Sequence, residues 1–196
     1  RDLLCAFRYS KCDDYSQAYL SAVKYALRMI IHEPKYKPYG AAAILVEWPA
    51  KVDVNILSTI QYFYETIQLN NIEPIVEVNY VYSSLLIIYD NSTIELSELK
   101  TVLESLYSNI DFSIKNDYRC YQIPACYDID YGPDLEFMCN SLNMEHAELV
   151  KLHTSTDYIV FGYGFLPGFL YLGGLDNRLH FPRRNNPRLK VPKGAV

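Results

Sequence analysis

The chain has 196 residues, half of them apolar, and a formal net charge of −5, enough for one large core or two small ones at roughly 100 to 150 residues per domain. No window reaches the roughly 18 uninterrupted apolar residues of a membrane span, and the first 30 residues lack a secretory pattern, so a cytosolic protein is expected. Residues 178–196 hold six of the 18 Lys and Arg and none of the 23 acids; so few cations beside an acidic body argue against nucleic acid and read as a solvated surface or an anion site.

Residues 1–35 read as a leader or appendage. They are tyrosine-rich, with Ser16 placed to cap a weak helix through Arg28, Met29 as an alternative natural start, and Pro34 and Pro38 breaking regular structure after His32. From Ala41 the run AAAILVEW predicts a strand, and Val54, Ile56, Ile60, Phe63 and Ile67 then recur at helical spacing. Ile75 to Val81 and Leu85 to Tyr89 predict two strands joined tightly around Tyr82, Ser83 and Ser84. Ser92 or Thr93 is the expected cap of a second helix with Leu96, Leu99, Val102, Leu103 and Leu106 on one face, and Tyr118 to Ile123 reads as a strand. The order β-α-β-β-α-β over residues 41–124 is the split βαβ, ferredoxin-like arrangement, an α+β fold with two helices on one face of an antiparallel sheet.

After Pro124 an acidic turn, Tyr127 to Asp134, precedes two short helical stretches, Pro133 to Leu142 and Met144 to His153, and a strand at Tyr158 to Tyr163. Glycine and proline from Gly164 to Leu175 preclude a long helix and predict loops and short strands.

The five cysteines, Cys5, Cys12, Cys120, Cys126 and Cys139, form no CxxC pair and have no histidine at zinc-ligand spacing. They read as buried or half-buried free thiols, with no metal and no nucleophilic cysteine expected. The glycines between 162 and 174 match neither a GK[ST] phosphate loop nor a GxGxxG motif opening a helix, and more simply permit tight turns. Phe165, Phe169 and Tyr171 flank the Pro167-Gly168 turn and either wall a pocket, present a partner surface or pack in a core. Pro182-Arg183-Arg184 and Pro187-Arg188 hold guanidinium forks beside restricted backbone, suited to carboxylate or phosphate, or else to a solvated strand edge. His153, at the end of a predicted helix, is placed for acid–base work or for capping carbonyls. Asp128, Asp130 and Asp134 lack the remainder of a calcium loop and read as a solvated turn.

The string Gly164-Phe-Leu-Pro-Gly-Phe-Leu-Tyr-Leu-Gly-Gly-Leu, with Phe181-Pro-Arg-Arg, Asn186-Pro-Arg and Val191-Pro-Lys-Gly-Ala-Val, resembles the allophanate hydrolase subunit 1 family. Tyr39-Gly40, Tyr82-Ser-Ser-Leu-Leu-Ile, Tyr131-Gly-Pro-Asp-Leu and Leu152-His153 extend the resemblance to roughly residues 36–196. That family includes the 5-oxoprolinase B component and the sporulation kinase inhibitor KipI. The resemblance implies a ferredoxin-like domain over residues 36–117 and a cyclophilin-like β-barrel over residues 118–196. The barrel is expected to be truncated at the C-terminus, with Ala195 where serine is common.

Three functions follow from the resemblance. The first is the B component of an ATP-dependent 5-oxoprolinase, inactive alone, that opens 5-oxoproline to L-glutamate with two partners. These are the C component (allophanate hydrolase subunit 2, KipA-like) and the A component (LamB/YcsF-like), ATP being shared with or bound by a partner. The second is a KipI-like kinase inhibitor, and the third a component of a urea carboxylase and allophanate hydrolase system. For the first, His153, Arg183 and Arg188 are the expected catalytic residues, and Phe165, Pro167, Gly168, Tyr171, Pro182 and Arg184 the expected substrate-binding residues.

Overall fold

The computed structural model describes residues 32–110, 112 and 119–191. The expected Ser16–Arg28 helix, Met29, Cys5 and Cys12 lie outside the described residues, as does Tyr118. By contacts the described residues fall into two compact units, one of residues 32–122 with Tyr158–Gly173 and one of Ile123–Asp157 with residues 174–191. The fold is α+β throughout, with antiparallel sheets. Among the described residues no helix is long and apolar enough to cross a membrane.

In the first unit, β1 (Lys35–Pro38), β2 (Ala43–Glu47), β3 (Ile75–Val81) and β4 (Ser84–Tyr89) form an antiparallel sheet in the order β1-β2-β4-β3. Two helices, α1 (Val54–Asn70) and α2 (Leu96–Ser108), accompany it. The period of two in the strands decides which face is buried. Ile44 pairs with Ile87 and Val46 with Leu85 across β2 and β4, and these four join Val78 and Tyr89 in one core. Ile56, Ile60, Phe63 and Ile67 of α1 and Leu99, Leu103 and Tyr107 of α2, spaced three or four apart, supply the opposing face. Each such side chain contributes about 1.5–3 kcal/mol by leaving water.

Asp53 caps α1, its Oδ1 accepting the Asn55 N–H at 2.8 Å, and Asn71 closes the helix in the left-handed region at φ 43°. The buried hydroxyls of Thr59 and Thr66 donate to the carbonyls of Asn55 (2.9 Å) and Tyr62 (2.7 Å), so neither is stranded.

Three sequence expectations are corrected in this unit. No strand forms over residues 119–123; the sheet position beside β2 is taken instead by β1, in the stretch expected to be broken by Pro34 and Pro38. The prolines bracket this strand, Pro38 being its last residue, and an edge strand tolerates a missing N–H. The second helix starts at Leu96 rather than after Ser92 or Thr93. Asp90 Oδ1 accepts the Ser92 N–H (2.9 Å) and hydroxyl (2.6 Å), so these residues form a side-chain-stabilised turn instead of a cap.

A hairpin of β5 (Ile159–Tyr163) and β6 (Leu170–Gly173) completes the unit. A Cβ at Gly162 would stand 3.1 Å from the Val81 Cα, a tight contact that glycine avoids where β5 passes β3. The Tyr82 N–H donates to the Phe161 carbonyl at 2.8 Å, and the Tyr82 ring stacks on Phe161 at 5.8 Å.

The second unit holds α3 (Leu135–Leu142), α4 (His146–Thr154) and a 3-10 turn at Asn177–Leu179. Leu149, Leu152 and Leu179 form its small core, with Leu135, Met138, Leu142 and Met144 packed around them. Helix α3 begins two residues after Pro133, which therefore precedes the first turn rather than lying in it. Cys139 is half-buried beside this core, whereas Cys120 and Cys126 are exposed rather than buried.

Candidate functional site

The arginine-rich segment has no regular structure of its own, because Pro182 and Pro187 withhold N–H donors and Asn185 and Asn186 favour turns. A side chain from elsewhere holds it. Asp134, the residue before α3, accepts at Oδ1 from Arg184 Nη1 and from Arg188 Nη2, the latter at 2.8 Å. Pro133, Asp134, Phe137, Arg184, Asn186 and Arg188, with Asn185, line a cleft of about 430 Å³. Phe137 meets Phe181 edge to face at 5.8 Å, giving the neighbourhood an apolar wall.

Two guanidinium groups against one carboxylate leave this cleft with an excess of one positive charge. Each guanidinium carries five N–H donors in a fixed fork. Such an arrangement suits a single anionic group, a carboxylate or a phosphoryl oxygen, at its open positions. Arg183 and Pro182 are exposed next to it in sequence, and neither lines the cleft.

His153 lies near the end of α4, half-buried. Its Nδ1 is 2.6 Å from the Tyr127 hydroxyl, with the rings edge to face at 5.7 Å. Burial pushes the Tyr127 hydroxyl up and the imidazole down from their ordinary pKa values, so the hydroxyl stays protonated and the ring neutral. The tautomer sets the direction of this bond: with the ring proton on Nε2 the Tyr127 hydroxyl donates to Nδ1, and with it on Nδ1 the ring donates to the hydroxyl oxygen. His153 is not among the residues lining the cleft.

The expected aromatic residues belong to the other unit, at the tip of the β5–β6 hairpin. The Leu166 N–H donates to the Gly164 carbonyl at 2.6 Å and the Phe169 N–H to the Leu166 carbonyl at 3.0 Å, folding the tip into consecutive tight turns. Phe165 takes a positive φ of 55° and Gly168 one of 84°. Phe165, Phe169 and Tyr171 run edge to face along the tip, at 6.2 and 5.3 Å, and Tyr171 meets Tyr82 at 5.5 Å. A shallow depression of about 350 Å³ is lined by residues 163–168, including Phe165, Pro167 and Gly168. Phe165 is 83% exposed, a disposition for contact rather than for a core.

The structure thus joins Arg184 and Arg188, and separately joins Phe165, Pro167, Gly168 and Tyr171. The residue that sequence reasoning undervalued is Asp134, taken there for a turn acid. Asp128 does serve a turn, its Oδ1 accepting the Asp130 N–H at 3.1 Å, whereas Asp134 reaches residues 50 and 54 positions away. Its one local signal is membership of the Tyr131-Gly-Pro-Asp-Leu string.

The family described as carboxyltransferase domain, subdomain C and D, matches residues 34–196. The chain is 27% identical over 167 residues to the 5-oxoprolinase B component of Bacillus subtilis, covering 80% of this chain and 70% of that one. It is 30% identical over 161 residues to the 5-oxoprolinase B component of Haemophilus influenzae, covering 81% and 73%. Among solved structures, that of TTHA0988 superimposes with a TM-score of 0.64 at 23% identity, over 78% of this chain and 28% of that one, a likeness of fold. The chain belongs to the carboxyltransferase subdomain C and D family, in the allophanate hydrolase subunit 1 group that holds the 5-oxoprolinase B components.

Proposed function

We propose that the chain is the B component of a cytoplasmic, ATP-dependent 5-oxoprolinase that opens 5-oxoproline to L-glutamate together with the A and C components. The observation that carries this reading is the alignment of four-fifths of the chain with proteins named as the B component of 5-oxoprolinase. In fold terms we assign residues 36–117 to a ferredoxin-like domain, supported by the β1-β2-β4-β3 sheet, and residues 118–196 to a cyclophilin-like barrel on the resemblance alone, the β5–β6 hairpin being grouped by its contacts with the first unit.

A five-membered lactam carrying a carboxylate needs a cationic partner, and the Arg184 and Arg188 pair answers that need, with Arg183 adjacent. The same guanidinium forks suit a phosphoryl oxygen, so the fit to ATP extends to its anionic end, and a partner protein is proposed to supply the rest of that site. Bound ATP would supply the driving force that opening an unstrained lactam lacks. His153, joined through Nδ1 to the Tyr127 hydroxyl, is the residue proposed to handle the proton.

The test is co-expression of the full-length protein with the A and C components, followed by an assay of ATP hydrolysis stimulated by 5-oxoproline. Stimulated hydrolysis is expected, and its absence refutes the function. The double substitution Arg183→Gln with Arg188→Gln removes charge-assisted bonds and is expected to lower kcat/KM by about a hundredfold. Unchanged turnover refutes the arginine assignment alone.

A further inference from the structure

The Arg184 and Arg188 guanidiniums stand within reach of one oxygen, although like charges repel. Something must hold them there, and among the described residues Asp134 is the single acid lining the cleft. Both arginines and Asp134 are partly exposed, at 52%, 30% and 40% of their side chains, so the trio is reachable by a ligand from solvent. The remaining lining has a chemistry of its own. Asn185 and Asn186 bring carboxamides, each with two N–H donors and a carbonyl acceptor, the complement of a cyclic secondary amide with its own carbonyl and N–H. Phe137 and Pro133 bring apolar surface of the kind a saturated ring requires.

We infer that this cleft is a specificity site for a small cyclic amide bearing one carboxylate, and that Asp134 is its positioning residue, aligning Arg184 and Arg188 for that carboxylate. The inference rests on the oxoprolinase reading and adds to it the residue that sets the arginines and the discrimination that follows. With Asp134 present the trio carries one net positive charge, matched to a monoanion. Without Asp134 the guanidiniums separate, and the fork that recognises a carboxylate is lost while the positive charge remains. Because the carboxylate does not react, its contact is made equally in ground and transition states, and its loss appears in KM more than in kcat.

The experiment compares wild type, Asp134→Ala and Asp134→Asn in the complex assembled from all three components. Binding of 5-oxoproline and of 2-pyrrolidinone, the same ring without a carboxylate, is measured by calorimetry beside the steady-state kinetics. Wild type is expected to prefer 5-oxoproline by roughly tenfold or more, the scale of one charge-assisted bidentate contact. Asp134→Ala is expected to lose most of that preference and to raise KM by about tenfold, while 2-pyrrolidinone binding and the circular dichroism spectrum stay unchanged. Asp134→Asn, which keeps an acceptor oxygen without charge, should fall between.

An active complex whose ligand preference is the same in Asp134→Ala as in wild type overturns the inference and leaves the oxoprolinase reading standing. Asp134-dependent binding of 5-oxoproline without ATP hydrolysis sinks that reading and keeps the cleft. A wild-type complex that neither binds nor turns over 5-oxoproline removes both.

Discussion

Tyr107→Phe should cost far more than the loss of one oxygen suggests. The Trp48 indole N–H donates to the Tyr107 hydroxyl at 3.0 Å, and that hydroxyl donates to the His32 carbonyl at 2.8 Å. Trp48 is 5% exposed, so once the oxygen is removed the indole N–H has no water to turn to. A stranded buried donor costs about 1–3 kcal/mol, whereas the exposed His32 carbonyl rehydrates at little cost. The ring itself stays, keeping its contacts with Trp48 at 5.9 Å and Phe63 at 5.1 Å, so little packing term is added. The expected destabilisation is about 2 kcal/mol, roughly thirtyfold in the folding equilibrium.

Urea unfolding measures this, followed by far-UV circular dichroism because the protein's single tryptophan is itself a variable. In a Trp48→Phe background no donor remains to be stranded, and Tyr107→Phe should then cost only about 0.5–1.5 kcal/mol for the contact to His32. Equal cost in both backgrounds, or a cost near zero in the native one, refutes the argument.

Tyr36 presents the opposite case: its hydroxyl is buried with no partner among the described residues, and burial raises its pKa well above the ordinary tyrosine value. Tyr36→Phe is therefore expected to leave the urea midpoint unchanged or raise it, and a drop would show that the hydroxyl is bonded after all. For His153, a folded pKa held below the ordinary value means that the unfolded chain binds more protons at mildly acid pH. Its contribution to stability is complete above about pH 6.5 and is lost as the pH falls through and below that value. Where the Tyr127 hydroxyl donates to the neutral ring, Tyr127→Phe is expected to raise the His153 pKa in an NMR titration, and a fall identifies Nδ1 as the donor.

What the sequence declared most clearly was local. The alternation in Leu85, Ile87 and Tyr89 and the helical spacing of Ile56, Ile60, Phe63 and Ile67 appear as β4 and α1, because each pattern is set by neighbours within a few positions. The tight link at Tyr82 and Ser83 is likewise local, and it is made with Tyr82 at φ 53°. What stayed hidden depended on distance along the chain. Nothing near Lys35–Pro38 says that this segment, and not the stretch before Pro124, pairs with β2. Asp90 outcompetes a helix cap at Ser92 through a contact that propensity alone does not rank. The arginines were visible as a cluster, but their partner was not, since Asp134 lies 50 residues from Arg184 and looks like any acid in a turn.

Two of the polar clusters among the described residues differ in what their loss is expected to affect. Trp48 and Tyr107 are buried, and their hydrogen bond is insulated from water, so its loss is felt in folding. Asp134, Arg184 and Arg188 are partly exposed, and ion pairs of that kind contribute about 0–1 kcal/mol once solvent screening is counted. Little folding free energy therefore depends on placing two guanidiniums against one carboxylate oxygen. The arrangement matters for what it presents to solvent, a fixed cationic fork beside two carboxamides and an aromatic wall. A substitution at Asp134 should for that reason spare the fold and alter the ligand, the reverse of a substitution at Tyr107.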